Sequence, residues 1–354
     1  MIDFNYIVIR RECRDNENRV ALIPSDCLKL TTNYIVYVEK SKYRCFSDEE
    51  YMINGCILID NYLELSHDIN TILVIGLKEL PEEINHYKYK HLYFSHMYKN
   101  QSNANIILNK FKYMKGSIYD LEYFYSNDSN SRLFAFGYYA GIAGCYMGLL
   151  QYYLKLSGNS IGTSNILINN NMHNNNMHNM HNTINILASE YSYMEPKIAI
   201  IGNGRCASGC IDILNQLNNN YSYTIFDRKS NMSNLKNYNI IFNCILLNPS
   251  DNLEPFITMD TLKSIHNIVI IVDISCDYNN KYNPIAIYNT PTTFINPILT
   301  VEDVDIIAID NLPSLLPKES SIYFSNKLVP YIEDILGNID VWVNVYKLFK
   351  NEIL

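Results

Sequence analysis

Short apolar runs rich in β-branched residues recur through the first third of the chain. Tyr6-Ile-Val-Ile-Arg10, Tyr34-Ile-Val-Tyr-Val38, Cys56-Ile-Leu-Ile59, Thr71-Ile-Leu-Val-Ile75, His91-Leu-Tyr-Phe94 and Ser117-Ile-Tyr-Asp120 are separated by helical segments or loops. The runs are continuous where a half-exposed strand would alternate, which predicts strands of a mostly parallel sheet covered on both faces. A second set follows: Lys197-Ile-Ala-Ile-Ile201, Tyr223-Thr-Ile-Phe226, Ile240 to Leu246, Ile268 to Asp273 and Asp305 to Asp310. With a helical segment near Met259 to Ser264, these predict a second doubly wound sheet. The fold class is therefore α/β, with two Rossmann-like doubly wound domains. Beyond Asp310 the chain leaves through Pro313 and Pro317 and reads as helix from Lys318 to Leu336 and again towards Leu354. Such a terminus is expected to pack back on the first domain, giving one domain of residues 1–134 with 321–354 and another of 135–320.

Two stretches break this rhythm. From Leu133 to Leu154 the chain is small and apolar, with Gly137, Gly141, Gly144 and Gly148 on one face of a helix, where absent side chains permit close packing. From Asn159 to Ile184 the sequence is low in complexity, alternating asparagines with Met-His pairs. That composition predicts a disordered loop, and His173, His178 and His181 have no cysteines or carboxylates nearby to complete a metal site.

Composition narrows the class. The chain has 354 residues, 48% of them hydrophobic, enough for two cores. Nine scattered cysteines suggest reduced thiols, and no run has transmembrane length, so a cytoplasmic location without membrane contact is expected. The net charge of −8 comes with no basic stripe, which argues against a nucleic-acid partner.

Candidate chemistry gathers where strands end. Gly202-Asn-Gly-Arg-Cys-Ala-Ser-Gly209 follows an apolar run and precedes a helix, the arrangement that holds a pyrophosphate on small residues and a helix N-terminus. Asp227, after the next strand, would accept hydrogen bonds from an adenosine ribose and so favours NAD over NADP. In the first domain, polar groups follow four strands: Arg11 to Arg19, Lys78 with Glu79, His96 with Lys99, and Glu122.

Nine blocks carry a family resemblance: Glu17-Asn-Arg-Val-Ala-Leu-Ile-Pro24, Ile75-Gly-Leu-Lys-Glu-Leu-Pro-Glu82, Phe94-Ser-His-Met-Tyr-Lys-Asn-Gln101, Tyr119-Asp-Leu-Glu122, Ala135-Phe-Gly-Tyr-Tyr-Ala-Gly141, Gly204-Arg-Cys206, Phe242-Asn-Cys244, Val272-Asp-Ile-Ser275 and Ile309-Asp-Asn-Leu-Pro-Ser-Leu-Leu-Pro317. In this order they resemble the NAD-dependent, lysine-forming saccharopine dehydrogenases, in the group that includes alanine dehydrogenases. The resemblance implies reversible oxidative deamination of saccharopine to L-lysine and 2-oxoglutarate, in the α-aminoadipate pathway of lysine biosynthesis. It also implies an interdomain cleft and a monomer. Lys78 and His96 match the acid–base pair. Arg14, Arg19, Lys99 and Arg132 match groups that grip substrate carboxylates, with Glu79 and Glu122 moderating their charge. Gly202, Gly204, Arg205, Cys206, Asp227, Cys244, Asp310 and Asn311 fall on the cofactor side, and no metal is implied. The pattern departs at a glycine loop one residue short, at Ala207 in place of glycine, at Asn311 in place of histidine and at Lys318 in place of arginine. Two alternatives are a homologue that keeps the scaffold without turnover and an amino-acid dehydrogenase of the alanine type. From topology alone, Cys206 and Cys244 are expected to lie close together, because the strands before them are neighbours in a doubly wound order.

Overall fold

The structure, a computed structural model, describes residues 4–81, 83–98, 104–164, 176–219, 221–245, 254–263, 267, 269–278 and 282–353. They form two compact units, one of Met1–Ala135 with Pro317–Leu354 and one of Phe136–Leu316.

In the first unit β1 (Tyr6–Ile9), β2 (Ile35–Glu39), β3 (Ile57–Ile59), β4 (Ile72–Ile75), β5 (Lys90–Tyr93) and β6 (Ser117–Asp120) build a sheet in the order β3-β2-β1-β4-β5-β6, with every pair parallel. The continuous apolar runs have the reason expected of them: all four residues of β4 and of β6 are buried. Helices Pro317–Glu333 and Ile339–Ile353 return to this unit. Trp342 is fully buried against the rings of Phe4, Tyr119 and Phe124. Three buried serines of the first of these helices face inward, and two of them serve the irregular segment after Arg19. Val20 N–H donates to Ser321 Oγ at 2.9 Å and Ile23 N–H to Ser325 Oγ at 3.1 Å, while Ser325 Oγ donates to Asp26 at 2.5 Å. Buried backbone that no strand partners is satisfied in this way, which fixes the segment that carries Arg19.

The second unit contains β7 (Ile198–Ile201), β8 (Tyr223–Phe226), β9 (Ile240–Asn243), β10 (Ile270–Asp273), β11 (Leu299–Val301) and β12 (Val304–Ile307), in the order β11-β12-β10-β9-β7-β8. Only the β11–β12 pair is antiparallel. Its two-residue turn, Glu302 and Asp303, has φ of 47° and 65°, the left-handed pair that a tight hairpin needs. Glu-Asp lacks the Asn-Gly or Asp-Gly signal, so this edge strand is not visible in the sequence.

The glycine face does what its spacing predicts. Helix Gly137–Leu156 is buried from Gly141 to Leu154. A Cβ on Gly141 would lie 1.9 Å from the carbonyl oxygen of Cys206, and one on Gly209 would lie 2.0 Å from that of Tyr138. The two glycines therefore let this helix and helix Arg205–Gln216 touch backbone to backbone. Gly148 similarly admits the Phe242 ring.

The asparagine tract is a correction. Residues 165–175, including His173, lie outside the described residues, but Met177–Glu190 is a helix, and Ile161–Ser164 is a helical turn. Met180, Ile184 and Ala188 are buried against the glycine-faced helix, and His181 Nδ1 pairs with the Tyr146 hydroxyl at 2.5 Å. Three apolar residues at i, i+4, i+8 form the stripe a helix requires, and that burial offsets the ordering entropy of the asparagines between them.

Candidate active site

In an open parallel sheet, the crevice where strand order reverses lies beyond the carboxyl ends of the two central strands. In the first unit those strands are β1 and β4. The residues that follow them, Arg10 to Arg19 and Gly76 to Glu79, meet there. Arg19 is buried, and its guanidinium grips the buried carboxylate of Glu17 with two bonds, Nε to Oε1 at 2.7 Å and Nη2 to Oε2 at 2.6 Å. Burial alone would push the Glu17 pKa up. The Arg19 charge, its hydrogen bonds and the nearby Lys78 ammonium reverse that and hold it below the usual value. Glu17 thus stands in the fields of two cations, one of them Lys78.

Lys78 is half-buried, and its neighbour Glu79 is exposed. The backbone N–H of Phe94 donates to Leu77 C=O at 3.2 Å, which ties the loop after β4 to the loop after β5. His96 follows in the left-handed region with φ of 55°. Its Nδ1 lies 3.3 Å from Glu122 Oε2, and the other oxygen of Glu122 accepts from Arg132 Nη1 at 2.9 Å. A carboxylate only accepts, so it favours the proton on Nδ1 and leaves Nε2 of a neutral ring as the acceptor. Asp120, buried at the end of β6, anchors both partners. It accepts from Ser95 Oγ at 2.6 Å and from Glu122 N–H at 3.0 Å. Burial raises its pKa, against the lowering by these bonds and by the His96 charge.

The second unit repeats the topology with β7 and β9 as central strands. Gly202 adopts φ of 104°, and a Cβ there would lie 3.1 Å from Cys244 C=O, so a glycine is required. Helix Arg205–Gln216 starts from Gly204 without a capping side chain, which turns its first N–H groups outward. Cys206 and Cys244 lie close enough for each thiol to shift the other, as the strand order predicts. Hydrogen bonds from Cys206 and Cys210 push the Cys244 thiol down, while the same contact and burial push Cys206 up. Ala207 is fully buried. Asp227 is exposed and folds its turn by accepting from Lys229 N–H and Ser230 Oγ, both at 2.9 Å. A pocket of about 550 Å³ adjoins it, lined among others by Arg228, Ser230, Met232, Ile245 and Phe256. Arg205 and Asp310 are exposed, and Asn311 is buried with its amide 3.5 Å from Ser314 Oγ. Asp273, fully buried, binds Tyr288 Oη at 2.5 Å and Asn243 Nδ2 at 2.9 Å, fixing the ends of β9 and β10.

The structure thus brings Lys78, Glu17 and Arg19 together, and His96, Glu122 and Arg132 together. Arg14 is half-buried in the loop that carries Glu17, and Lys99 lies outside the described residues. Arg10 and Asp120 were not singled out in the sequence, and Glu12 and Glu17 only as part of the polar stretch Arg11 to Arg19. Glu17 and Asp120 stood inside matched blocks, so their position was a usable signal.

A family profile for the alanine dehydrogenase/PNT N-terminal domain matches residues 8–143, and the corresponding C-terminal-domain profile matches residues 211–347. Saccharopine dehydrogenase (NAD+, L-lysine-forming) of Yarrowia lipolytica is 32% identical over 366 residues, spanning 98% of this chain and 97% of its own. The protein of the same name from Candida glabrata is 33% identical, spanning 97% of this chain and 95% of its own. Among solved structures, an L-alanine dehydrogenase gives a TM-score of 0.68 at 13% identity, covering 96% of this chain and 93% of its own, which establishes the shared fold. A transhydrogenase from Sinorhizobium meliloti gives 0.64 at 14% identity, covering 94% of each. Similar over nearly its whole length to relatives above 30% identity, the chain belongs to the saccharopine dehydrogenase family within the alanine dehydrogenase/PNT group.

Proposed function

We propose that this protein is an NAD-dependent oxidoreductase that reversibly converts saccharopine to L-lysine and 2-oxoglutarate. The observation that carries the reading is the placement, beyond the ends of the adjacent strands β4 and β5, of a half-buried lysine whose charge reaches Glu17 and a histidine oriented by Glu122.

Lys78 takes the proton from saccharopine's secondary ammonium, leaving a neutral amine whose lone pair drives hydride from the adjacent carbon. NAD held by the second unit would supply the hydride acceptor. His96 takes a proton from water through Nε2 as the oxygen adds to the resulting imine carbon. It returns that proton to nitrogen as the carbon–nitrogen bond breaks, releasing lysine, and then takes the hydroxyl proton as the carbonyl of 2-oxoglutarate forms. Glu122 balances the charge His96 gains, and Arg132 keeps Glu122 in place. Arg19 holds a substrate carboxylate, with Arg14 and Lys99 assisting. Its fork is already braced by Glu17, so little side-chain freedom is lost on binding.

The second unit fits a dinucleotide. The Gly202 turn, the uncapped helix start, Arg205 and Cys206 offer backbone to a pyrophosphate, and Asp227 faces a ribose beside a pocket large enough for adenosine. Gly204, Cys244, Asp310 and Asn311 complete that side. Among the described residues no helix is long and apolar enough to cross a membrane, and the proposed protein is a cytoplasmic monomer.

Replacing Lys78 with Met or His96 with Gln tests the roles. Each should lower turnover of saccharopine with NAD by about 10²-fold or more while saccharopine still binds. Near-normal turnover in both would overturn the assignment.

A further inference from the structure

Lys78 stands three residues beyond the end of β4, past the last strand pairing that could hold it, yet its backbone is held on nearly every polar side. The carboxylate of Glu12 accepts two successive N–H groups, that of Leu77 on Oε1 at 2.7 Å and that of Lys78 on Oε2 at 3.0 Å. The guanidinium of Arg10 donates through Nη2 to Lys78 C=O and through Nη1 to Glu12 Oε2 at 3.2 Å. Arg10 itself is fixed at the end of β1 by its N–H, which donates to Ile75 C=O at 3.0 Å. Its guanidinium occupies the space a side chain at Gly76 would need, since a Cβ there would lie 2.3 Å from Nε. The side chains of Arg10 and Glu12 are 2% and 7% exposed, and their polar atoms are spent on each other and on the Leu77–Lys78 backbone.

A buried ion pair is a poor device for stability alone, because desolvating two charges takes back much of what their attraction gives. Burial pushes the Glu12 carboxyl up, against the lowering by the Arg10 charge and by the Lys78 and Leu77 N–H groups. The pair does have one specific geometric result: two N–H groups and one carbonyl of the Leu77–Lys78 segment are fixed from the neighbouring strand. We infer that Arg10 and Glu12 form a clamp that positions Lys78, fixing from the segment after β1 the backbone from which its side-chain amine reaches the substrate. The inference rests on the proposed role of Lys78 as the proton acceptor. Misplacing a reacting group by about 1 Å costs on the order of 10²-fold in rate, so a base on a loop needs such a brace.

A double-mutant cycle tests this. Glu12→Gln keeps size and shape but turns an –NH2 towards an N–H that now has an acceptor. Turnover of saccharopine with NAD should fall about 10- to 100-fold, with the saccharopine KM and NADH affinity within about threefold of the native enzyme. In a Lys78→Met background, where there is no ammonium to aim, Glu12→Gln should cost less than about twofold more. If the two losses multiply instead, or if NADH affinity falls in step with turnover, Glu12 acts on general structure and the clamp is refuted. Arg10→Lys, which keeps the charge but cannot bridge Glu12 and Lys78 C=O together, provides the same cycle should Glu12→Gln fail to fold. Near-normal turnover of Lys78→Met alone would overturn the base assignment, and the clamp with it. A slow Lys78→Met beside normal Glu12→Gln and Arg10→Lys enzymes would overturn the clamp alone.

Discussion

Gly141→Ala puts one methyl group between two helices that touch through their backbones. The new carbon would lie 1.9 Å from the Cys206 carbonyl oxygen, and ordinary contact begins at 3.4 Å, so the helices must separate locally by about 1.5 Å. The obstacle is backbone in the first turn of helix Arg205–Gln216, which cannot rotate aside. A clash with rigid backbone falls in the upper part of the usual overpacking range, about 2–3 kcal/mol, and the gain in helix propensity from Gly to Ala returns about 1 kcal/mol. A net loss of about 1–2 kcal/mol in a unit of this size should lower Tm by roughly 2–8 °C. The displaced turn is also the one proposed to face the pyrophosphate, so NADH affinity should fall by about two- to fivefold, as expected when a helix-terminus interaction of ~0.3–1 kcal/mol is lost. Thermal scans and NADH fluorescence titration measure both, with two controls. Gly144→Ala meets side chain, Ile274 Cδ1 at 2.6 Å and Cγ1 at 2.7 Å, which can shift where backbone cannot, so it should lose less than Gly141→Ala, and Gly204→Ala, which meets nothing within 4 Å, should stay within about 2 °C of the native protein. A Gly141→Ala protein as stable as the native one, or less damaged than Gly144→Ala, would refute the reasoning.

Two further outcomes are expected. Asp227 should repel a 2′-phosphate, so kcat/KM should favour NAD over NADP clearly and Asp227→Ser should narrow the gap; equal efficiency in the native enzyme would contradict the ribose role. Arg19→Met should raise the saccharopine KM far more than it weakens NADH, and it should change acid stability with a defined sign. The native Glu17 pKa is held below the ordinary value of 4.5 for a free glutamate, so its contribution is present above that pH and is lost as pH falls through the folded value. Without Arg19, burial raises the Glu17 pKa and the sign inverts, so the stability gap between the two proteins should shrink on acidification in urea titrations below about pH 5.

Much of this architecture is legible in the chain because burial on both faces leaves a strong mark. Ile72 to Ile75 and Ile198 to Ile201 could be little other than central parallel strands, and the polar residues after them had to fall at the switch points. The glycine face between Gly141 and Gly148 was readable because helical spacing is regular. The helix Met177–Glu190 was not, since its three buried residues are diluted by asparagines that dominate the composition. Strand β11 escaped because its turn is made by Glu302 and Asp303, without the Asn-Gly or Asp-Gly pair that marks a tight hairpin. Arg10 and Glu12 left no pattern, for a charged residue that braces a backbone looks in sequence like one that meets solvent.

The central claim is the reaction, and substrate choice tests it most directly. NADH oxidation should be followed by the loss of reduced-nicotinamide absorbance, with lysine plus 2-oxoglutarate and separately with pyruvate plus ammonia. The account predicts rapid oxidation with the first pair, saccharopine as product and little or no rate with the second. Oxidation with pyruvate and ammonia alone would make the protein an alanine-type dehydrogenase, and NADH binding without turnover of either pair would make it a scaffold that has lost the reaction.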